Sequence, residues 1–275
     1  MKCKLSLYIG SILYLIAHSY CNAQQLYSIP QQTIQPAKIL GPLQSQFGSY
    51  EGNNLSESLT LDVGDFQMSS LVTCQEYKEY LQVIKRDSSR RFYLSQLPDS
   101  TMCLPDVYSK YIAGNQYDEY PIMAISWDAA MNYCRWKTME NNKDSIKYIY
   151  RIPSLFEWLA AYSYLNNTSV KNDLSKNYSD WLLNPIDGFI PDKSYGGSYK
   201  YLSNKNEPNV LKRKMVIGDS YLYKLGTLYD YLTISYFSFE GSRQVGFRYT
   251  KRKIERKKGN EQSDDLLILK DWGLK

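Results

Sequence analysis

The sequence predicts an α+β domain. Three observations carry that reading. Two capping boxes each open a stretch with helical apolar spacing, several short apolar segments have strand patterning, and long polar stretches separate them. With 275 residues, 43% hydrophobic and 22% charged, the chain can build one or two cored domains and is not a disordered polymer.

The N-terminus reads as a signal peptide over residues 1–23. Met1–Lys4 is short and basic, and Leu5–Ala17 is mostly apolar. That run falls short of the roughly 20 apolar residues a spanning helix needs. Cys21-Asn22-Ala23 places small residues where a signal peptidase reads, so cleavage after Ala23 would leave Gln24 first. The other reading makes Cys21 a lipid-bearing residue. Tyr20 and His18 stand where such a signal has small and aliphatic residues, so soluble export is favoured. No other stretch is apolar enough to span a membrane. The expected location is therefore outside the cytoplasm, in the periplasm or at the outer membrane.

Residues 24–59, rich in Gln, Pro, Ser and Gly, form an N-terminal extension without clear periodicity. Leu59–Met68 alternates apolar and polar residues and suits a strand. Thr73 followed by Glu76 is a capping box, and Tyr77, Tyr80, Leu81 and Ile84 continue it as a helix over 74–86. Asp87–Tyr120, with Pro98 and Pro105, reads as irregular. Tyr120–Ile125 reads as a short strand. Ser126 caps a second helix with Asp128 in its first turn, and Ala130, Tyr133, Cys134 and Lys137 trace one face. Tyr148–Ile152 is a further strand. Ser154 and Glu157 form the second capping box and start a third helix reaching about Tyr164. Asn166–Asn209 is polar and loop-like. Met215–Ile217, Leu228–Phe239 and Val245–Tyr249 read as strands. Residues 251–275 form a basic C-terminal tail beginning with the run Lys251–Lys258. The plain reading of that run is a solvated tail; the functional one is attraction to anionic lipid heads or an acidic partner.

Composition narrows function. The net charge is +5, or +3 without Lys2 and Lys4, so no large basic field points to nucleic acid. His18 is the only histidine and lies in the signal peptide. A processed chain then lacks the commonest general base, Ser-His and Cys-His pairs, and histidine-ligated zinc. Cys74, Cys103 and Cys134 follow the signal peptide at spacings of 29 and 31, which match no metal motif. One disulfide with a buried thiol, or three buried thiols, are both open; Cys74 with Cys103 is the preferred pair if one forms. The 27 tyrosines suit hydrogen-bonded packing or broad contact surfaces.

Four stretches resemble the formylglycine-generating enzyme (sulfatase-modifying factor) family. They are Phe66 to Leu81 with Val72-Thr73 and Tyr77; Tyr120 to Trp136, including Ser126-Trp127 and Tyr133-Cys134-Arg135-Trp136; Tyr150 to Ala161, including Arg151-Ile152-Pro153 and Glu157-Trp158; and Val245-Gly246-Phe247-Arg248. Together they place a domain of this family at 60–250. The resemblance implies an irregular, long-looped variant of the C-type-lectin fold. Read residue by residue, Ser126 and Ser154 are caps. Trp127, Trp136 and Trp158 are apolar anchors, each burying on the order of 200 Å². Arg135 and Arg151 are expected to pair with carboxylates such as Glu157 or Asp128, a structural ion pair being favoured over a substrate clamp.

Active members of that family hold Cu(I) with two cysteines between a Gly-Gly-Ser-Trp turn and the Gly-Phe-Arg strand, as soft thiolates suit. The corresponding turn here, Ile217-Gly218-Asp219-Ser220-Tyr221, is eroded, and no cysteine occurs from Leu222 to Gln244. The expectation is a pseudoenzyme with no catalytic, cofactor-binding or metal-binding residues and no cofactor. A narrower resemblance runs through Leu97-Pro98-Asp99, Met102 to Asp106 and Tyr117 to Pro121. It is similar to gliding-motility and type IX secretion lipoproteins of Bacteroidetes. The expected function is thus a non-catalytic structural or protein-interaction component of the bacterial cell envelope, with envelope proteins as partners and no nucleic acid. The alternatives are a lectin-like module for glycans or peptides and, against the missing thiol pair, a formylglycine-generating oxidase.

Overall fold

The computed structural model describes residues 25–35, 60–102, 105–142, 145–169, 174, 178–185, 213–218, 235–254 and 263–274. The expected signal peptide with Cys21 and Ala23, Cys103, most of the 166–209 loop, residues 219–234 and the 255–258 half of the basic run lie outside them.

In chain order the elements are β1 (Leu26–Ile29), β2 (Gln32–Ile34), β3 (Leu61–Val63), β4 (Phe66–Ser69), α1 (Cys74–Asp87), α2 (Arg90–Ser95), α3 (Pro105–Ala113), α4 (Trp127–Glu140), β5 (Tyr148–Arg151), α5 (Leu155–Asn166), β6 (Ser179–Pro185), β7 (Arg213–Ile217), β8 (Ser235–Phe237), β9 (Val245–Gly246), β10 (Thr250–Lys253) and α6 (Asp264–Asp271). This is an α+β architecture. A four-stranded antiparallel sheet has the order β1-β4-β10-β5, β2 pairs with β3, and a second four-stranded sheet runs β8-β7-β6-β9. Its β6–β9 pair is parallel.

The three expected helices start where their caps placed them. The Thr73 backbone N–H donates to Glu76 Oε2 at 2.9 Å and the Glu76 N–H to Thr73 Oγ1 at 3.3 Å. Ser126 Oγ accepts from the Ala129 N–H at 3.1 Å, and Ser154 with Glu157 repeats the full box. Each cap satisfies amides that the first helical turn leaves without partners.

Elsewhere the structure departs from the sequence reading. The region 87–120 holds α2 and α3 and is not irregular throughout. Ser89 caps α2, and Pro105 opens α3, where a missing N–H costs nothing. Tyr120–Ile125 is no strand, since its only ladder contact is the Thr73–Pro121 bridge. Ala124 turns the chain with φ of 60°. Three segments meet at this turn. The Asp99 N–H donates to the Ala124 carbonyl at 2.7 Å, the Ala124 N–H donates to the Ser242 carbonyl at 3.1 Å, and a Cβ on Gly241 would overlap the Ala124 carbonyl oxygen. The strand expected over 59–68 is broken at Gly64-Asp65 into β3 and β4.

Both ends of the chain are more structured than expected. Within the N-terminal extension, β1 pairs along β4, Leu26 against Ser69 through Ile29 against Phe66. The first half of the basic run is not a solvated tail. Thr250–Lys253 is an interior strand of the first sheet, between β4 and β5. Further on, α6 buries Ile268, Leu269 and Trp272. Its apolar residues form one continuous run, Leu266–Leu269, and show no helical spacing, but Ser263 caps it and two aspartates fill its first turn.

The core has two parts. One gathers α1, α4 and strand residues around Tyr77, Tyr80, Tyr133, Trp181 and Phe247. The other packs α5 against β1 to β4, β6 and β7 around Phe66, Met68 and Trp158. Buried tyrosines interlock as ring pairs, with Tyr77 and Tyr80 centroids 5.4 Å apart and Tyr133 and Phe247 edge to face at 5.3 Å. Their hydroxyls are satisfied where buried: Tyr77 donates to the Gln96 carbonyl at 2.8 Å and Tyr80 to Gln96 Oε1 at 2.9 Å. Much of the tyrosine excess is therefore packing.

Candidate functional site

The first sheet presents two different faces, because side chains alternate along each strand. Thr250 pairs with Met68 and Arg151, while the next residue, Lys251, pairs with Gln67 and Tyr150. Arg151 and Thr250 therefore look one way, toward α5. Tyr150 and Lys251 look the other way, toward α1 and α4.

On the α5 face Arg151 is 4% and Glu157 2% exposed. Arg151 grips the Glu157 carboxylate with two nitrogens at 2.6 and 3.0 Å and reaches Asp265 Oδ1 at 2.6 Å. Arg252 adds a second contact to Glu157 at 2.8 Å. Burial would raise the Glu157 carboxyl, but the Arg151 and Arg252 guanidiniums outweigh it and hold the group well below the usual carboxylate range. Nearby, Asp180 Oδ2 accepts from Arg248 and from the Trp158 indole N–H, each at 2.8 Å. The pairing of Arg151 with Glu157 is thus structural, as its sequence context suggested. Arg135 is exposed, and Asp128 accepts from Ser238 Oγ at 3.1 Å. Trp127 is an anchor whose indole N–H donates to the Leu182 carbonyl at 2.9 Å.

The opposite face carries a cleft of about 530 Å³. Tyr133, Tyr150 and Tyr249 are its buried aromatic surfaces, α1 contributes Glu76 and Glu79, and α4 contributes Trp136 and Lys137. Glu119 and Lys251 also line it. Lys137 is the distinctive group. Its Nζ sits 4.8 Å from the Tyr249 ring centroid and 5.5 Å from that of Tyr133, and it donates a long hydrogen bond of 3.4 Å to Tyr133 Oη. Ring faces attract such a cation. Among the described residues, no carboxylate stands within ion-pair distance of Lys137. Burial lowers its pKa, with Glu76 pulling the other way. Burial likewise raises the Glu76 carboxyl. The Trp136 indole N–H in the cleft wall is buried and finds no hydrogen-bond partner among the described residues.

No residue was assigned to catalysis, cofactor or metal from sequence, and the cleft was not anticipated. The one signal available in the sequence is that Lys137 shares a helix face with Ala130, Tyr133 and Cys134. The rest of the lining comes from segments far apart in the chain.

A copper centre of the thiolate type does not fit the donors present. Cys74 and Cys134 are both buried and free, on α1 and α4. Cys74 is therefore not bridged to Cys103; its Sγ lies 3.7 Å from the Pro121 carbonyl oxygen. Burial pushes the Cys74 thiol up to about 11 and the Cys134 thiol higher still, so neither is a thiolate near neutrality. The stretch from Leu222 to Gln244 contains no cysteine. Among the described residues no group of three or more His, Cys, Asp or Glu is placed to hold a metal, and no helix is long and apolar enough to cross a membrane.

The profile of the Sulfatase-modifying factor enzyme 1-like domain matches residues 44–182. No curated protein matches the sequence. Solved structures similar to the chain include CarF, 14% identical with a TM-score of 0.49, over 85% of this chain and 99% of that one. Another is Treponema denticola variable protein 1, 14% identical with a TM-score of 0.42, over 82% and 94%. A third is PvdO from Pseudomonas aeruginosa, 13% identical with a TM-score of 0.42, over 84% and 95%.

Proposed function

Because the chain belongs to the Sulfatase-modifying factor enzyme 1-like domain family, we propose that it is a non-catalytic member, exported to the bacterial cell envelope, where it serves as a structural or protein-interaction component. The single observation that carries the non-catalytic half is the donor set. A cysteine pair is absent from the sequence between Leu222 and Gln244, and the two described cysteines are buried, protonated thiols. A copper centre of the two-cysteine type needs accessible thiolates. Replacing the pair requires donors this chain does not bring together among its described residues. The envelope half rests on the signal peptide over residues 1–23, and the motility or type IX secretion assignment on the Leu97 to Pro121 motifs. Family membership by itself carries no function, because one fold hosts many.

The test is in-cell cross-linking of the tagged protein followed by mass spectrometry of captured envelope proteins. Reproducible capture of secretion or gliding components is the expected result. Background capture alone overturns the scaffold reading. In parallel, the purified protein incubated with Cu(I), oxygen and a cysteine-containing sulfatase peptide is expected to form no formylglycine; turnover would restore the oxidase reading.

A further inference from the structure

We propose that the cleft between α1, α4 and the first sheet binds a small zwitterion, an ammonium and a carboxylate on one compact molecule, of which free amino acids are the simplest class. The proposal goes beyond the envelope role and rests on the cleft alone. Four observations lead to it. The volume, about 530 Å³, lies in the range of small-molecule sites. The buried surfaces are aromatic, from Tyr133, Tyr150 and Tyr249, and the rest of the lining is largely polar, with charges of both signs on Glu76, Glu79, Glu119, Lys137 and Lys251. Lys137 is a half-buried cation without a carboxylate at ion-pair distance among the described residues. Glu76 is a half-buried carboxylate that, among the described residues, accepts only from the Thr73 N–H and hydroxyl of its own cap.

Charges taken from water and left unpaired are costly, so a ligand that supplies both opposite charges is favoured over one that supplies either alone. A simple anion would meet Lys137 but also three carboxylates, Glu76, Glu79 and Glu119. A simple cation would meet those carboxylates but also Lys137 and Lys251. A sugar could hydrogen-bond to either sign yet would leave both charges uncompensated. An amino acid places its carboxylate against Lys137 and its ammonium against Glu76 and Glu79, while its side chain lies over the tyrosine rings. These charge-assisted contacts are also the stronger class of hydrogen bond.

The experiment is a thermal-shift screen of the purified protein against each L-amino acid at millimolar concentration, followed by calorimetric titration of the hits. Glucose and N-acetylglucosamine are the polyol probes. At least one amino acid is expected to raise Tm, and its N-acetyl and carboxamide derivatives are expected to bind at least ~10-fold more weakly. Lys137→Met and Glu76→Gln should each weaken binding by a similar factor. The Gln variant retains a side chain that can serve the α1 capping box, so it decides the matter if the Met variant fails to fold. No shift with any amino acid overturns the proposal. So does equal binding of the blocked derivatives, undiminished binding in both variants, or a shift with the sugars only. None of these outcomes bears on the cross-linking result, so the two readings fail separately.

Discussion

The two faces of the first sheet treat buried charge in opposite ways. On the α5 side, Arg151, Arg252, Glu157 and Asp265 form a closed set in which each charge has an opposite partner at hydrogen-bond distance. On the α1–α4 side, Lys137 and Glu76 are each half-buried, and each has its pKa moved by burial against its charged form. The strand register puts both situations on neighbouring residues, since Arg151 follows Tyr150 and Lys251 follows Thr250. The lesson is that a buried charge gripped by its opposite at hydrogen-bond distance belongs to the fold, whereas a half-buried charge whose opposite stands beyond contact belongs to a site. Removing a charge from the first set should destabilise the protein strongly. Removing Lys137 from the second should spare stability, whereas Glu76 also serves the α1 cap.

The largest expected effect comes from Glu157→Gln. It leaves Arg151 and Arg252 short of a counter-charge in a buried position and should cost ~3–5 kcal/mol, read by urea unfolding. A loss below 1 kcal/mol would erase the distinction between the faces.

Next is Ile268→Ala in α6, at a fully buried position of the supposed tail. It should cost about 3 kcal/mol, because a cavity opens where the helix meets the core. Wild-type stability in this variant would mean that α6 does not hold the fold.

Ser154→Ala should cost ~1 kcal/mol through the lost cap of α5. Chemical denaturation would register no change if Glu157 alone sufficed to hold the helix start.

Acid adds a pH axis to the same contrast. The folded Glu157 pKa lies below its unfolded value of about 4.3, so its contribution is present above that pH and is lost as pH falls toward the folded value. Thermal melts should therefore decline in acid for the wild type and more shallowly for Glu157→Gln. Identical acid profiles would remove Glu157 from the account.

The smallest effect is expected of Lys137→Met, within ~1 kcal/mol of wild type and of either sign, because the change removes an unpaired buried cation. A loss comparable to that of Glu157→Gln would make Lys137 a structural residue.

Much of the fold was legible where the interactions are local. Thr73 with Glu76, Ser126 with the Ala129 amide, and Ser154 with Glu157 join residues three apart, and all three helix starts were found. Pairing across long separations was not legible. The Leu26–Ile29 segment carries no alternation to announce a strand, yet it pairs with Phe66–Ser69. Ser179–Pro185 sat inside a stretch read as loop, although it is an interior strand of the second sheet, between β7 and β9. Lys251–Lys253 looked like solvated charge. Its backbone completes a sheet, while the Lys251 ammonium stands 4.7 Å from the Tyr148 ring centroid and Arg252 turns to Glu157. Long cationic side chains allow this, because an aliphatic stem can pack while the head finds its partner.

By itself the sequence determined the helix starts, the tryptophan anchors, the family to which the chain belongs and the absence of cysteine from Leu222 to Gln244. Each of these is a property of residue identity at short spacing. The tertiary structure alone decided that β10 lies between β4 and β5, that Cys74 stays a free thiol, and that Glu76, Lys137, Tyr150 and Tyr249 surround one cleft. Those facts depend on which distant segments pair and in what register, and a shift of one residue would send Tyr150 to the α5 face and Arg151 into the cleft.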